Sequence, residues 1–171
     1  PGEGYDWPSS NHGIAVDDED NVWIGGNGPD DAHIVKFTRT GQFLLQLGKP
    51  GGNAGSHDAT NFGRVAKVSF DLAANEAFVA DGYLNKRVAV LDMDSGAMKR
   101  YWGAHGNAPD DANAGPYDPA DPSAPQFRNP VHCAERSNDG LVYVCDRQHN
   151  RLQVFQPDGK FVKEAFYAKD T

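Results

Sequence analysis

Three stretches of this chain repeat one pattern, and that repetition constrains the fold more than any other feature. They are HGIAVDDEDNVWIGGNGPDDAHIVKFTRTGQFLLQLG, VAKVSFDLAANEAFVADGYLNKRVAVLDMDSGAMKRYWG and VHCAERSNDGLVYVCDRQHNRLQVFQPDGKFVKEAFYA. Each reads as four short strands. The second strands are NVWIGG, EAFVAD and LVYVCD, and the third strands are HIVKF, KRVAVLD and RLQVF. Hairpin signals stand between third and fourth strands at Thr40-Gly41, Ser95-Gly96 and Asp158-Gly159. Antiparallel four-stranded units of about forty residues are the blades of a β-propeller. A sandwich also uses short strands but does not repeat this unit, and no heptad or amphipathic helical period competes. The expected class is therefore all-β, a propeller of about three blades.

Within a single domain over 1–171, the blades are expected at 12–48, 65–103 and 131–168, with connections at 49–64 and 104–130. Propellers close with about 4–8 blades, so three make about half of a six-bladed ring. The chain begins on Pro1 rather than Met and reads as a processed chain or a fragment. Its open edges favour self-association, since an uncovered edge is sticky. Both connections are long for a compact fold, which fits either a solvated cover or the shaping of a binding face.

Charge narrows the partners. The net charge of -8 argues against a nucleic-acid backbone, which needs a basic surface. No apolar run reaches the length of a membrane span. Cys133 and Cys145 flank the Ser137–Gly140 turn at similar distances. The expectation is two small buried thiols in a strand pair, with a disulfide as the alternative.

Propeller geometry gathers the candidate chemistry on one face. The start of each first strand lies nearest the axis, on the same face as the loop joining strands two and three. His12 and His132 begin first strands. Asp81, Gly82, Tyr83 and Asn85 lie in one such loop, and Asp146, Arg147, Gln148 and His149 in another. Two imidazoles converging on an axis suit a zinc-like ion, while the simpler role is a bond from each ring to a backbone carbonyl at the channel rim. The second blade offers Ala66 or Lys67 where the others have His. DDEDN at 17–21 lacks the Gly and downstream Glu of a calcium loop and reads as a solvated turn. His33, His57 and His105 read as surface or loop residues. Trp23, Phe37, Phe78, Tyr143 and Phe155 recur at equivalent strand positions and are expected in the core, with Trp102 packed beside them.

The stretches HGIAVDDEDNVWIGG, VADGYLNKRVAVLD and LVYVCDRQHNRLQVFQPDGKFVKE resemble the NHL-repeat propellers, and within them the lyase domain of peptidylglycine α-amidating enzymes. The resemblance runs from about Asn11 to Glu164. It implies a six-bladed ring with zinc in the channel and a structural calcium. It also implies cleavage of peptidyl-α-hydroxyglycine to a peptide amide and glyoxylate, and an exported location. On that resemblance His12 and His132 match zinc ligands, although the motif here is Pro-Val-His rather than Pro-His. Tyr83 matches a base for the substrate hydroxyl, Arg147 a group near the substrate carboxylate, and the Ile14 carbonyl a calcium ligand. The family's third histidine, a further arginine and the acidic calcium ligand fall outside these three blades. Gly63, Leu84, Val142 and Val154 stand at the family's disulfide positions. Two other readings remain. One is a non-catalytic NHL propeller binding a peptide or protein on its top face. The other is a propeller hydrolase, which wants a carboxylate-rich calcium site that the first strands do not offer.

Overall fold

The computed structural model describes residues 3–120 and 124–167. Residues 121–123 of the second connection and residue 168 at the end of the third blade lie outside the described residues. Twelve strands form three four-stranded antiparallel sheets in sequence order. The first holds β1 (Asn11–Val16), β2 (Val22–Gly26), β3 (His33–Phe37) and β4 (Phe43–Gly48). The second holds β5 (Val65–Asp71), β6 (Glu76–Asp81), β7 (Arg87–Asp92) and β8 (Met98–Trp102). The third holds β9 (Val131–Arg136), β10 (Val142–Asp146), β11 (Arg151–Phe155) and β12 (Phe161–Phe166). First strands meet across blades, β1 against β5 and β5 against β9, which puts them innermost. This is the propeller arrangement expected from the repeats. Among the described residues no helix is long and apolar enough to cross a membrane.

The middle blade shows why the sequence folds this way. EAFVAD and RVAVLD carry apolar residues at successive positions rather than alternating with polar ones. Their two faces bury different partners. Phe78, Ala80, Val88 and Val90 pack toward the third blade with Val131, Val142, Val144 and Phe155. Ala77, Val79, Ala89 and Leu91 pack toward the first blade with Trp23, Ile34, Val65 and Val68. A sheet covered on both faces needs both parities apolar. The far face of the first blade is covered by its own N-terminal segment, where Tyr5 lies 4.9 Å from Phe37 and stacks on Phe43.

Beneath the top face sits a repeated polar anchor. Asp81 ends β6 and Arg87 begins β7, both wholly buried and 2.8 Å apart. Arg87 also donates to the carbonyls of Ser56, Asp58 and Asn61. Asp146 and Arg151 repeat the pair at 2.9 Å, and Arg151 donates to the carbonyls of Ala124 and Gln126. Each arginine thus pins the connection leading into its own blade. The connections are therefore not simply solvated covers: each delivers a buried phenylalanine, Phe62 or Phe127, into a blade interface.

The first blade solves the same problem differently. Gly26 and His33 stand where the other blades have Asp and Arg. A Cβ on Gly26 would lie 2.4 Å from Asp31 Oδ2, so the carboxylate comes from across the loop. Asp31 accepts from the backbone of Ser9, Ser10 and Gly28, and His33 Nε2 donates to the Asp6 carbonyl at 2.9 Å. His33 is therefore buried, not a surface residue.

Three further expectations change. Cys133 and Cys145 form a disulfide rather than two thiols, because the register sets them opposite each other with Cα atoms 4.9 Å apart. Closing that 12-residue separation is worth about 3 kcal/mol in the chain-entropy account. Tyr143 is half-buried and donates to Asp139 Oδ2 at 2.7 Å, since its parity matches Cys145 and it faces away from the second blade. In the DDEDN turn, Asp17 is buried and accepts from Trp23 Nε1 at 2.9 Å while pairing with Lys36.

Replacing Arg87 by Ala leaves Asp81 as an unpaired buried charge and frees three carbonyls, at an expected cost of about 3–5 kcal/mol. The exposed pair Arg39–Asp20 is the control, and Arg39→Ala should cost under about 1 kcal/mol. Urea denaturation of both variants measures the contrast. A second outcome concerns acid. Bonds from Arg100, with Lys99 beside it, hold the Glu76 carboxyl down at about 2. Its stabilisation is complete above the ordinary value of 4.5 and is lost as pH falls through about 2. The stability gap between the wild type and Glu76→Gln should close over that window.

Candidate functional site

Each first strand carries a bulge near its start, and the bulges shape the site. In β1, His12 pairs with Gly25 and Ala15 with Trp23, leaving Gly13 and Ile14 opposite one residue. In β5, Val65 pairs with Asp81 and Lys67 with Ala80, so Ala66 is extra. In β9, Val131 pairs with Asp146 and Cys133 with Cys145, so His132 is extra. A bulge bends the strand and re-aims its side chains. In β9 it leaves His132 facing the Tyr83 hydroxyl.

His12, Tyr83, His132 and Arg147 come together. The Tyr83 hydroxyl lies 3.2 Å from His12 Nε2 and 3.1 Å from His132 Nε2. The two imidazole centroids are 5.7 Å apart. The Arg147 guanidinium carbon stands 5.9 Å over the Tyr83 ring, within cation–π range. Ile14 lies in the β1 bulge with its side chain 60% exposed and takes no part in this cluster. Asp81, Asn85, Asp146 and His149 sit below it, buried in the anchors.

Proton positions follow from the partners. His12 Nδ1 lies 2.8 Å from the Ala66 carbonyl, the unpaired bulge residue of β5. A carbonyl only accepts, so Nδ1 carries the hydrogen. With one proton on that ring, Nε2 presents a lone pair and accepts from the Tyr83 hydroxyl. The Tyr83 oxygen then accepts from Nε2–H of His132. Burial pushes the His132 imidazole below its ordinary value, and the charges of Arg147 and Lys67 push the same way. The result is a directed chain from His132 through Tyr83 and His12 to Ala66.

Close approaches hold the chain in place. Gly13 has φ +67°, and a Cβ there would lie 2.9 Å from the Ala66 oxygen. Gly82 lets β9 approach the Tyr83 loop, since a Cβ there would lie 1.9 Å from the Val131 oxygen. Asn129 Nδ2 donates to the carbonyls of Gly82, Leu84 and Asn85. The sequence places Gly82 on this face without assigning it a role, and gives Gly13 and Asn129 no part in the site. Their adjacency to His12, Tyr83 and Pro130 was the available signal.

The donor set fits a zinc-type ion in part. An imidazole whose Nδ1–H is held by a carbonyl and whose Nε2 lone pair points outward is the arrangement of a metal-ligating histidine. His12 meets it, and a phenol oxygen and a second imidazole lie beside it. Among the described residues no group of three or more His, Cys, Asp or Glu side chains converges on a point that could hold a metal ion.

No family model matches the chain. It is 29% identical over 161 residues to peptidyl-glycine alpha-amidating monooxygenase B of Xenopus laevis, covering 90% of this chain and 16% of that protein. It is 29% identical to NHL repeat-containing protein 3 of Mus musculus, covering 86% of this chain and 39% of the relative. A probable peptidyl-alpha-hydroxyglycine alpha-amidating lyase of Caenorhabditis elegans is 28% identical, covering 84% and 36%. The chain thus spans well under half the length of these relatives. Among solved structures, the WD40 repeats of RRP9 superpose with a TM-score of 0.59 at 14% identity, covering 92% of this chain and 39% of theirs. Streptogramin B lyase superposes at 0.56 and 14%, covering 91% and 40%. At that identity the structures speak for the propeller fold alone.

The proton chain has a spectroscopic signature. Two-bond ¹H–¹⁵N correlation spectra of the metal-free protein should show His12 as the Nδ1–H tautomer and His132 as the Nε2–H tautomer. Both rings in the same tautomer would contradict the assigned direction.

Proposed function

We propose that this NHL-type propeller segment, related to amidating lyases and NHL-repeat proteins, supplies part of the active centre of a zinc-dependent lyase acting on peptidyl-α-hydroxyglycine. The single observation that carries the proposal is the Tyr83 hydroxyl held between His12 Nε2 and His132 Nε2, with Arg147 over its ring. His12 and His132 would hold the zinc, with at least one further ligand from outside these blades. When bound, zinc supplies Lewis acidity that lowers the pKa of a substrate hydroxyl.

The chain's own residues do the rest. Tyr83 gives up its own hydroxyl hydrogen to solvent before it takes the proton of the substrate hydroxyl. The substrate C–N bond breaks as the glyoxylate carbonyl forms, and the proton passes to the departing amide nitrogen. Arg147, exposed above Tyr83, presents a planar fork to the substrate carboxylate. Calcium through the Ile14 carbonyl belongs to the same proposal, but it contributes one oxygen of the six to eight such an ion takes, and no step depends on it. An exported location is proposed with it, since a disulfide persists in oxidising compartments.

A second reading is a scaffold that binds a peptide or protein on the top face. The exposed Leu84 beside Tyr83 and the relationship to an NHL-repeat protein favour it. Metal content separates the two. Purified protein equilibrated with zinc should retain it, and His12→Ala with His132→Ala should abolish retention. Tyr83→Phe should keep the zinc and lower glyoxylate release by about 100-fold or more. Zinc retention that survives the loss of both His12 and His132, in a folded protein, would remove the lyase reading and leave the scaffold.

A further inference from the structure

The turn that carries Arg147 is closed by a bond that the lyase reading does not use. Residues Arg147–His149 form a single 3₁₀ turn between β10 and β11. Asp146 and His149 are buried, while Arg147 and Gln148 between them are exposed. His149 Nδ1 lies 2.6 Å from Asp146 Oδ2. A carboxylate paired with an arginine only accepts, so Nδ1 carries the hydrogen and donates. The bond spans the turn like a clip. It ties both flanks of the exposed pair together and holds the pair outward. The Arg147 N–H donates to the Pro130 carbonyl at 3.3 Å, and the Arg147 carbonyl accepts from the Asn150 N–H at 3.2 Å. The side chain then stands over Tyr83.

The buried anchor does not need this bond. Arg151 Nε reaches the same Asp146 oxygen at 2.9 Å, and the Arg128 N–H donates to Oδ1 at 3.1 Å. Both oxygens are thus bonded without His149, and what the imidazole adds is closure of the turn. The second blade repeats the device with a different residue. Asn85 stands two residues before Arg87, as His149 stands two before Arg151. Its Nδ2 donates to Asp81 Oδ2 at 2.8 Å. Tyr83 and Arg147 also hold matching places, each four residues before the arginine. Each loop therefore carries its site residue between a buried aspartate and a buried donor that bonds back to it. Asn Nδ2 and His Nδ1 are both attached to Cγ, so they put a donor at the same reach. His149 Nε2 is buried without a partner among the described residues, so the clip uses the one nitrogen that an asparagine shares.

We propose that His149 is a positioning residue, whose Nδ1–H bond to Asp146 holds Arg147 over Tyr83. Support of this kind fixes a side chain that meets a ligand without touching the ligand itself. Only the statement that Arg147 then meets a carboxylate rests on the lyase reading.

The test compares His149→Leu, which fills the space and loses the donor, with His149→Asn, which keeps the donor. Amide hydrogen exchange on the ¹⁵N-labelled chain reads the turn directly. In His149→Leu the Arg147 and Asn150 amides should exchange at least about tenfold faster relative to those of β10 and β11, and in His149→Asn as in the wild type. Affinity for N-acetylglycine, followed by shifts at Arg147, should fall about tenfold in the Leu variant and stay unchanged in the Asn variant. Faster exchange shared equally by β10 and β11 marks a merely structural residue and overturns the proposal. So does an Asn variant as open as the Leu variant, or an N-acetylglycine affinity that the Leu variant keeps. If the Leu variant does not fold, the Asn variant decides, because lost protection at Arg147 there overturns the clip and retained protection supports it. A wild type that shows the exchange contrast but does not bind N-acetylglycine through Arg147 sinks that residue's part in the lyase reading and leaves the clip standing.

Discussion

The buried Asp–Arg pair is the constraint on which the rest of the structure depends. A propeller blade exposes two apolar faces and must receive its neighbour in register. Asp81–Arg87 and Asp146–Arg151 sit where the second strand ends and the third begins, sealed from solvent. A buried guanidinium has five donors to satisfy, and one carboxylate cannot satisfy them all. The remainder reach carbonyls of the incoming connection. The electrostatic need of one side chain thus fixes the path of the segment that brings in the next plug, Phe62 or Phe127. The first blade shows that the function matters more than the residue: Asp31 and His33 pin residues 6–10 in the same sense.

The same anchors place the chemistry. Asp81 immediately precedes Gly82 and Tyr83, and Asp146 immediately precedes Arg147. The take-off of both loops is therefore set by rigid, buried pairs rather than by the loops themselves. On the inner strands, paired bulges complete the arrangement. The bulge that leaves Ala66 out of register with β6 also leaves its carbonyl bonded to His12 across the blade boundary. The disulfide between Cys133 and Cys145 ties the strand behind His132 to the strand ahead of Arg147.

Electrostatics at the top face run against the chain as a whole. The protein carries -8, yet Lys67 and Arg147 stand near the histidine pair. Under the proposed function, that local positive charge would favour the approach of the substrate carboxylate.

The sequence by itself determined the blades. Four-strand repeats, hairpin glycines and the apolar double parity of EAFVAD are local properties, and local properties survive without knowledge of neighbours. It also marked which residues stand at the top of the inner strands and in the second-to-third loops, because propeller topology maps position to face. Much else it could not decide. The burial of His33 and Asp17, the outward parity of Tyr143 and the closing of the disulfide depend on strand register. Register is set by bulges that leave no composition signal. The proton direction through Tyr83 required a carbonyl from residue 66 to meet a ring on residue 12. That is a contact between distant segments, and such contacts exist only once the blades have packed.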